Sequence, residues 1–334
     1  MTSGEIGSTT VEKRNSPKLF KSPISVLWNI TKKCELSCLH CYSDSCSEAG
    51  ANDLTDEEAM RVAASLIECD VVDIFISGGE PLCRRNILEK ALPLFAENKA
   101  IIRMVTSGYG LTQKDVELFE RCRTHVVVSL DGASAEVHDS IRGRAGAFDQ
   151  AISALKLLSG RIPSLSIMFV LTNRNVDELG KVIDLAASIG NINLVEAHAM
   201  VERGRGRQNS QLQITLDDRQ KAIEVIGNKM EQYNKKPYCI LNDPTLSMRR
   251  IIRSNIQNTG AFIDNNGDVR VIPWLPIKFG NLKRNSLIEI WEQGLNDCWR
   301  SSKMDKYLKG MRNINHLGAM AESNNYEIVD FNSL

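Results

Sequence analysis

Three cysteines stand close together in the segment NITKKCELSCLHCYSD at residues 29–44, at positions Cys34, Cys38 and Cys41. Thiolates bind soft metal ions and iron–sulfur clusters. Structural zinc usually takes four protein ligands, whereas three thiolates on a four-iron cluster leave one iron open to a substrate or cofactor. The trio therefore favours an iron–sulfur cluster with an open coordination position. A zinc site, with His40 or another residue as fourth ligand, is the alternative.

Amino-acid composition indicates the cellular compartment of the protein and the classes of partner that it binds. The chain has 334 residues, with 41 basic and 41 acidic side chains, 43% hydrophobic residues and nine cysteines. Balanced charge does not favour a nucleic-acid or membrane partner. The first 20 residues lack the apolar core of a signal peptide, and the longest apolar runs are much shorter than a membrane span of about 20 residues. We predict a cytoplasmic protein whose cysteines serve metal or redox chemistry rather than disulfides.

Short apolar runs alternate with helical patterns through the first two thirds of the chain. Strands are predicted over residues 25–31, 71–76, 101–106, 125–130, 165–171 and 192–198, and helices over 55–68, 86–98, 112–122, 146–158 and 175–188. Apolar strands separated by helices are typical of a parallel sheet covered by helices. Six such units fall short of the eight of a closed barrel. The predicted fold is α/β, an open partial (β/α)6 barrel.

Polar or glycine-rich residues lie near or directly after the ends of most of the predicted strands. In strand order they are the three cysteines, Gly78-Gly79-Glu80, Thr106 and Ser107, Ser129 and Asp131, and finally Glu196 and His198. Strand–helix loops are polar in many proteins without any function. In parallel sheets, however, ligands bind at the carboxyl ends of the strands. We therefore expect these residues to meet on one functional rim.

These motifs together resemble the radical S-adenosylmethionine (radical SAM) superfamily. The resemblance rests on Cys34-x3-Cys38-x2-Cys41, on Gly-Gly-Glu-Pro at 78–81 and on SLDGASAEVHDSIRG at 129–143, and it covers roughly residues 24–200. It implies a partial (β/α)6 barrel in which the trio holds one [4Fe-4S] cluster. The open iron would bind the amino and carboxylate groups of SAM. One electron would then release a 5′-deoxyadenosyl radical, which takes a hydrogen atom from the substrate.

The resemblance also implies which residues bind SAM. They lie in the rim loops and are His40, Gly78, Gly79, Glu80, Thr106, Ser107, Ser129, Asp131 and Arg142. Glu80 and its two glycines would hold the amino group, because glycine permits close backbone approach and a carboxylate suits an ammonium. Arg142 would pair with the SAM carboxylate, and His40 would lie against the adenine. Ser129 and Asp131 would contact the ribose and methionine portions.

Residues 259–294 predict a β-hairpin followed by a helix. Asn266-Gly267 is a strong turn signal, and Ser286 can cap a helix over 287–295. This small α+β segment resembles the SPASM or twitch extension of radical SAM enzymes, in which cysteines hold auxiliary clusters. Gln257 and Ile272 occupy two of those ligand positions here, and Cys298 is the last cysteine of the chain. We therefore predict one cluster and an extension without auxiliary-cluster cysteines.

The expected organisation is a flexible tail over residues 1–20, the barrel over 21–200, a bridging region over 201–255 and the extension over 256–334. In the bridging region, Cys239 is either a hydrogen-atom donor to a substrate radical or a buried apolar residue. Candidate substrate contacts are Glu196, His198, Arg203 and Arg205. The two arginines suit a carboxylate or phosphate, and a solvated linker is the alternative.

The predicted function is that of a radical SAM enzyme. Its substrate would be a small natural-product or cofactor precursor or a peptide, and epimerisation, decarboxylation or dehydrogenation is favoured. The class would thus be epimerase, lyase or oxidoreductase, with flavodoxin or ferredoxin as electron donor. A peptide-crosslinking maturase ranks lower, because that chemistry usually accompanies auxiliary clusters in this group. The alternative outside the enzymes is a non-catalytic radical SAM-like protein that binds a partner.

Overall fold

A computed structural model describes residues 20–243, 257–304 and 329–331. The strands in these ranges are β1 (Ser25–Thr31), β2 (Asp73–Gly78), β3 (Ile101–Thr106), β4 (His125–Ser129), β5 (Leu165–Leu171), β6 (Leu194–Ala199), β7 (Tyr238–Asn242), β8 (Gly260–Ile263), β9 (Asp268–Arg270), β10 (Ile277–Asn281) and β11 (Val329–Asp330). The predicted tail over residues 1–20 lies almost wholly outside the described residues, as do parts of the bridging region and the extension.

Helices follow most of the parallel strands. They are α1 (Asp56–Glu68), α2 (Arg85–Glu97), α3 (Gln113–Arg121), α4 (Ala135–Arg142), α5 (Ala147–Leu158), α6 (Leu179–Ile189), α7 (Arg205–Gln208), α8 (Leu216–Gln232) and α9 (Leu287–Ile290). Single 3₁₀ turns cover Pro81–Arg84, Val176–Glu178, Ser210–Leu212 and Cys298–Arg300, and a π-helical turn covers Trp291–Leu295. Thr55 and Glu58 form a capping box at the start of α1.

The strands make one open sheet in the order β11-β10-β9-β8-β1-β2-β3-β4-β5-β6-β7. From β1 to β7 every neighbouring pair is parallel, so all seven carboxyl ends lie on one edge. This confirms the α/β class with an unclosed parallel sheet. The second strand begins two residues later than predicted, because the Val71 N–H bonds back to the carbonyl of Leu66 at the end of α1.

The predicted hairpin is present in the C-terminal part. β8 and β9 pair antiparallel across the Asn266-Gly267 turn, and Ser286 caps α9 through a capping box with Glu289. β8 also pairs in parallel with β1. The hairpin contributes Val269 to the buried core of the barrel, so the two parts of the chain share one hydrophobic interior.

Among the described residues, no helix is long and apolar enough to cross a membrane.

Candidate functional site

A cavity of about 350 Å³ opens at the carboxyl ends of the parallel strands. Each of the first six strands, or the loop directly after it, contributes to its wall. The predicted site residues that line it are Cys34, Cys38, His40, Cys41, Gly78, Gly79, Thr106, Ser107, Ser129, Arg142, His198 and Arg205. The structure therefore brings most of the rim residues around one space.

The three cysteines lie in one loop, and each sulfur accepts an N–H. Cys34 Sγ accepts from the backbone of Leu36 at 3.4 Å, and Cys41 Sγ from that of Ser45 at 3.4 Å. Cys38 Sγ accepts from Arg142 Nη1 at 3.8 Å. Burial raises the pKa of Cys34 and Cys38, and Arg142 partly offsets the effect at Cys38. Donors aimed at sulfur suit thiolates that bind metal, since a coordinating thiol is deprotonated.

Within the described residues, no three side chains of His, Cys, Asp or Glu converge on a point that could hold a single metal ion. Cysteines of an iron–sulfur cluster bind through separate irons, so they need not converge in this way.

Helix α4 holds the cysteine loop from one side. The N–H groups of Ser37 and Leu39 donate to the carbonyls of Arg142 and Ile141, at 3.1 and 2.9 Å. Gly143 ends α4 with φ of 69°, and a Cβ there would lie 2.6 Å from the carbonyl oxygen of Ser37. Glycine is therefore needed at this position for both its conformation and its size.

Arg205 holds the same loop from the other side. Its guanidinium donates to the carbonyl oxygens of Cys38 at 2.9 Å and Ser45 at 2.6 Å, and to Asp44 at 3.0 Å. These bonds engage three of its nitrogens, so the structure gives Arg205 the position of a brace of the cysteine loop. Arg203 lies apart from the main cavity, in a neighbouring polar pocket with Asp264 and Arg270.

The two glycines of the Gly-Gly-Glu motif allow two loops to touch. The N–H of Gly79 donates to the carbonyl of Thr31 at 2.8 Å, and that of Glu80 to the carbonyl of Lys33 at 2.9 Å. A Cβ on Gly78 would lie 2.4 Å from the Thr31 oxygen, and one on Gly79 would lie 2.2 Å from the Lys33 oxygen. The motif is thereby fixed beside the cysteine loop.

Glu80 is buried and surrounded by donors. Its carboxylate accepts from Thr106 Oγ1 at 2.7 Å, from the Ser107 N–H at 2.7 Å and Oγ at 2.5 Å, and from the Leu82 N–H at 3.1 Å. Burial raises the pKa of Glu80, although these donors oppose the rise. A buried carboxylate of this kind is stabilised by a cation. Thr106 and Ser107 thus orient Glu80.

His40, Asp131 and Arg142 form a buried network. The Asp131 carboxylate lies 2.7 Å from His40 Nε2 and 2.7 Å from Arg142 Nε, and accepts the Val170 N–H at 2.8 Å. Burial would raise the pKa of Asp131, but Arg142 and His40 bring it below its ordinary value. Among the described residues, Arg142 Nη2 has no hydrogen-bond partner although it is buried. A buried donor without a partner suits an anionic ligand group.

Glu196 and His198 share one face of β6, and their side chains meet. His198 Nε2 lies 2.9 Å from Glu196 Oε1, which also accepts from Asn242 on β7 at 3.1 Å. Of this pair, His198 lines the cavity. Glu196 does not line it and orients the His198 ring through this contact.

Cys239 lies on the opposite face of β7 from Asn242, in the apolar core. Its Sγ is 3.6 Å from the carbonyl of Pro237, and burial raises its pKa to about 11. It is not among the residues that line the cavity. This position agrees with the buried apolar alternative rather than with a donor to a radical in the cavity.

The sequence did not indicate that the extension reaches the site. Pro273 and Trp274, after β9, form part of the cavity wall. They immediately follow Ile272, which stands at the expected auxiliary-ligand position. A tryptophan between two prolines, at 273–276, is a signal that could have suggested a rigid apolar contact.

Comparisons with known proteins agree with this geometry. The model of the Radical SAM superfamily matches residues 28–186. The AdoMet-dependent heme synthase of Methanosarcina barkeri is 27% identical over 315 residues, which is 89% of this chain and 87% of that protein. Mycofactocin maturase MftC of Mycolicibacterium smegmatis is 33% identical over 171 residues, 51% of this chain and 43% of that protein.

A solved structure shares the fold. Streptococcus suis SuiB bound to precursor peptide SuiA superposes with a TM-score of 0.68 at 16% identity, covering 86% of this chain and 67% of SuiB. The donor set in and directly behind the cavity wall fits the two groups that the family implies, an iron–sulfur cluster at three thiols and SAM at Glu80 and Arg142. Residues 28–186 thus form a radical SAM domain, and the similar proteins are enzymes of the radical SAM superfamily.

Proposed function

We propose that this chain binds one [4Fe-4S] cluster through Cys34, Cys38 and Cys41 and cleaves SAM reductively to abstract a hydrogen atom from its substrate. The observation that carries the proposal is the convergence of the cysteine loop and Arg142 on one cavity, with Glu80 held by Thr106 and Ser107 of the cavity wall. When bound, the reduced cluster supplies the electron that cleaves SAM into methionine and a 5′-deoxyadenosyl radical. A flavodoxin or ferredoxin would supply that electron.

Two ionic groups of the chain would hold the methionine end of SAM. Glu80 would bind the amino group, because four donors already orient its carboxylate and a cation would offset the cost of its burial. Arg142 would bind the carboxylate through Nη2, which is buried and lacks a partner among the described residues. His40 is engaged by Asp131, so its ring edge is fixed and its face remains the part that could lie against the adenine.

The remaining wall supports an extended apolar substrate. The apolar residues of the wall include Leu27, Phe75, Val105, Met168, Val170, Pro273 and Trp274. His198 is a titratable group on this wall. A heme synthase is similar to this chain over 89% of its length, which supports a cofactor precursor. Decarboxylation or dehydrogenation of such a precursor, or epimerisation of a small natural product, requires no second cluster.

A peptide substrate is the second candidate. It is favoured by the higher local identity, 33% over 171 residues, to mycofactocin maturase MftC. SuiB, which shares the fold, binds a precursor peptide. The two candidate substrates, a cofactor precursor and a peptide, differ in which molecule would lie against the cavity wall beside Trp274.

The first experiment is anaerobic reconstitution with iron and sulfide. Iron is counted in the wild type, in the Cys34→Ala/Cys38→Ala/Cys41→Ala variant and in Cys46→Ala, a matched control whose thiol is in the same loop but outside the trio. 5′-Deoxyadenosine is then assayed after dithionite reduction in the presence of SAM. We expect about four irons per chain and deoxyadenosine in the wild type and the control, and neither in the triple variant.

Two outcomes would overturn parts of the proposal. If the chain takes up zinc, or if the cluster-loaded protein forms no deoxyadenosine from SAM, the catalytic function is refuted and a role as a non-catalytic partner protein is favoured. Iron retained by the triple variant would refute the single cluster.

A further inference from the structure

We propose that Asp131 and Arg142 form a charge pair that sets the reduction potential of the cluster through the Cys38 sulfur. The inference rests on the proposed function, since it requires that the cysteine trio holds a cluster. Arg142 has a second role here in addition to binding the SAM carboxylate. Asp131 acts through Arg142 and is a positioning residue rather than a SAM ligand.

The pair is isolated from solvent. The Asp131 side chain is 0% exposed and that of Arg142 is 8% exposed. Charges in such surroundings are screened far less than surface charges. Asp131 is also fixed on three sides, by Arg142, by His40 and by the Val170 N–H. Its negative charge is therefore held at one place relative to the cysteine loop.

Arg142 connects that charge to the metal ligand. Its Nε faces Asp131 at 2.7 Å while its Nη1 donates to Cys38 Sγ at 3.8 Å. Hydrogen bonds to sulfur and the local net charge are two of the factors that set the potential of an iron–sulfur cluster. A positive donor at Cys38 stabilises the reduced, more negative cluster and so raises the potential. The Asp131 charge opposes this effect by partly neutralising Arg142.

The backbone allows the electronic role to be separated from a structural one. The cysteine loop is held to α4 by the carbonyls of Arg142 and Ile141, and to α7 by Arg205. None of these bonds uses the side chain of Arg142 or Asp131. Asp131→Asn, which is isosteric, and Arg142→Gln, which removes the guanidinium, therefore change the charge near Cys38 while the bonds that shape the loop remain.

The test measures the midpoint potential of the reconstituted cluster by redox titration with electron paramagnetic resonance, without SAM. The variants are Arg142→Gln, Asp131→Asn and the control Asp139→Asn. Asp139 lies on the same helix, but its carboxylate accepts from the Gly146 and Phe148 N–H groups and, among the described residues, has no hydrogen bond to Arg142 or to a cysteine of the trio. We expect Arg142→Gln to lower the potential, Asp131→Asn to raise it, and the control to match the wild type.

The opposite signs make the test decisive, because general loosening of the site has no reason to move the two variants in opposite directions. Shifts of the same sign, or shifts no larger than that of the control, would overturn the inference while leaving the proposed function intact. A wild-type chain that binds no cluster would overturn both, and iron content and the resonance signal show this directly.

Discussion

Replacing Gly79 by alanine tests whether the Gly-Gly-Glu motif is built for contact with the cysteine loop. A Cβ at this position would lie 2.2 Å from the Lys33 oxygen and 2.7 Å from its carbonyl carbon. Both are backbone atoms, so no flexible side chain can move aside. The loop must shift, and with it the bonds from the N–H groups of Gly79 and Glu80 to Thr31 and Lys33.

The expected loss in the free energy of unfolding follows from the steric clash and from the displaced hydrogen bonds. Forcing extra atoms into a packed site costs about 1–3 kcal/mol. Two backbone hydrogen bonds contribute about 1 kcal/mol each. We therefore expect Gly79→Ala to lower the free energy of unfolding by about 3–5 kcal/mol, a large part of a typical total of about 5–15 kcal/mol. Glu80 would be displaced as well, so SAM binding by the reconstituted variant should also weaken.

Urea denaturation of the cluster-free protein, followed by circular dichroism, measures the first effect without any contribution from iron. Gly227→Ala is the matched control, because Gly227 lies within α8 and a Cβ added there would have no described neighbour within 4 Å. That substitution should stabilise the chain by about 0.5–1 kcal/mol. A Gly79→Ala loss below about 1 kcal/mol would refute the close approach described here.

Three further predictions concern other parts of the site. Burial, and after it the charge of Arg142, lowers the pKa of His138 to about 4. Because the unfolded chain takes up this proton near pH 6.5 and the folded chain does not, the free energy of unfolding should fall by up to about 3 kcal/mol between pH 6.5 and 4. Urea denaturation at several pH values measures this fall, and His138→Asn should make it smaller. Arg205→Ala should speed iron loss to a chelator, because three bonds to the cysteine loop disappear, whereas Arg207→Ala on the same helix should not; equal rates would contradict the brace. Cys239→Ser should leave deoxyadenosine release and substrate turnover within about twofold, because a thiol in the core cannot reach the cavity; loss of turnover alone would restore the hydrogen-donor role.

The sequence predicted the elements well where local signals are strong. The strand predicted over residues 25–31 is present, and the helix predicted over 55–68 begins one residue later, after the capping box of Thr55 and Glu58. Alternation of apolar and helical segments was sufficient for the parallel sheet, because strands covered by helices on their faces are rich in apolar residues. Helix α4 was missed, because a short helix with a mostly polar sequence lacks a long apolar period.

Side-chain partners could not be predicted in the same way. His40 and Asp131 are 91 residues apart in sequence, and their contact depends on how the cysteine loop and α4 pack. Periodicity shows which residues share a strand face, as with Glu196 and His198, but not which face meets the cavity. The position of Cys239 depends on the register of β7 against β6, which no local pattern specifies.

In the C-terminal part, the residues at the positions where auxiliary ligands are expected are wholly or partly buried. Gln257 is buried, Ile272 packs against the core, and Cys298 is fully buried within it. The hairpin pairs β8 with β1, so it also covers a strand edge that would otherwise be open to other chains. Because β1 leads directly into the cysteine loop, this pairing helps to position the loop, and Trp274 forms part of the cavity wall. The extension therefore supports the proposed single-cluster site through its fold and its apolar wall.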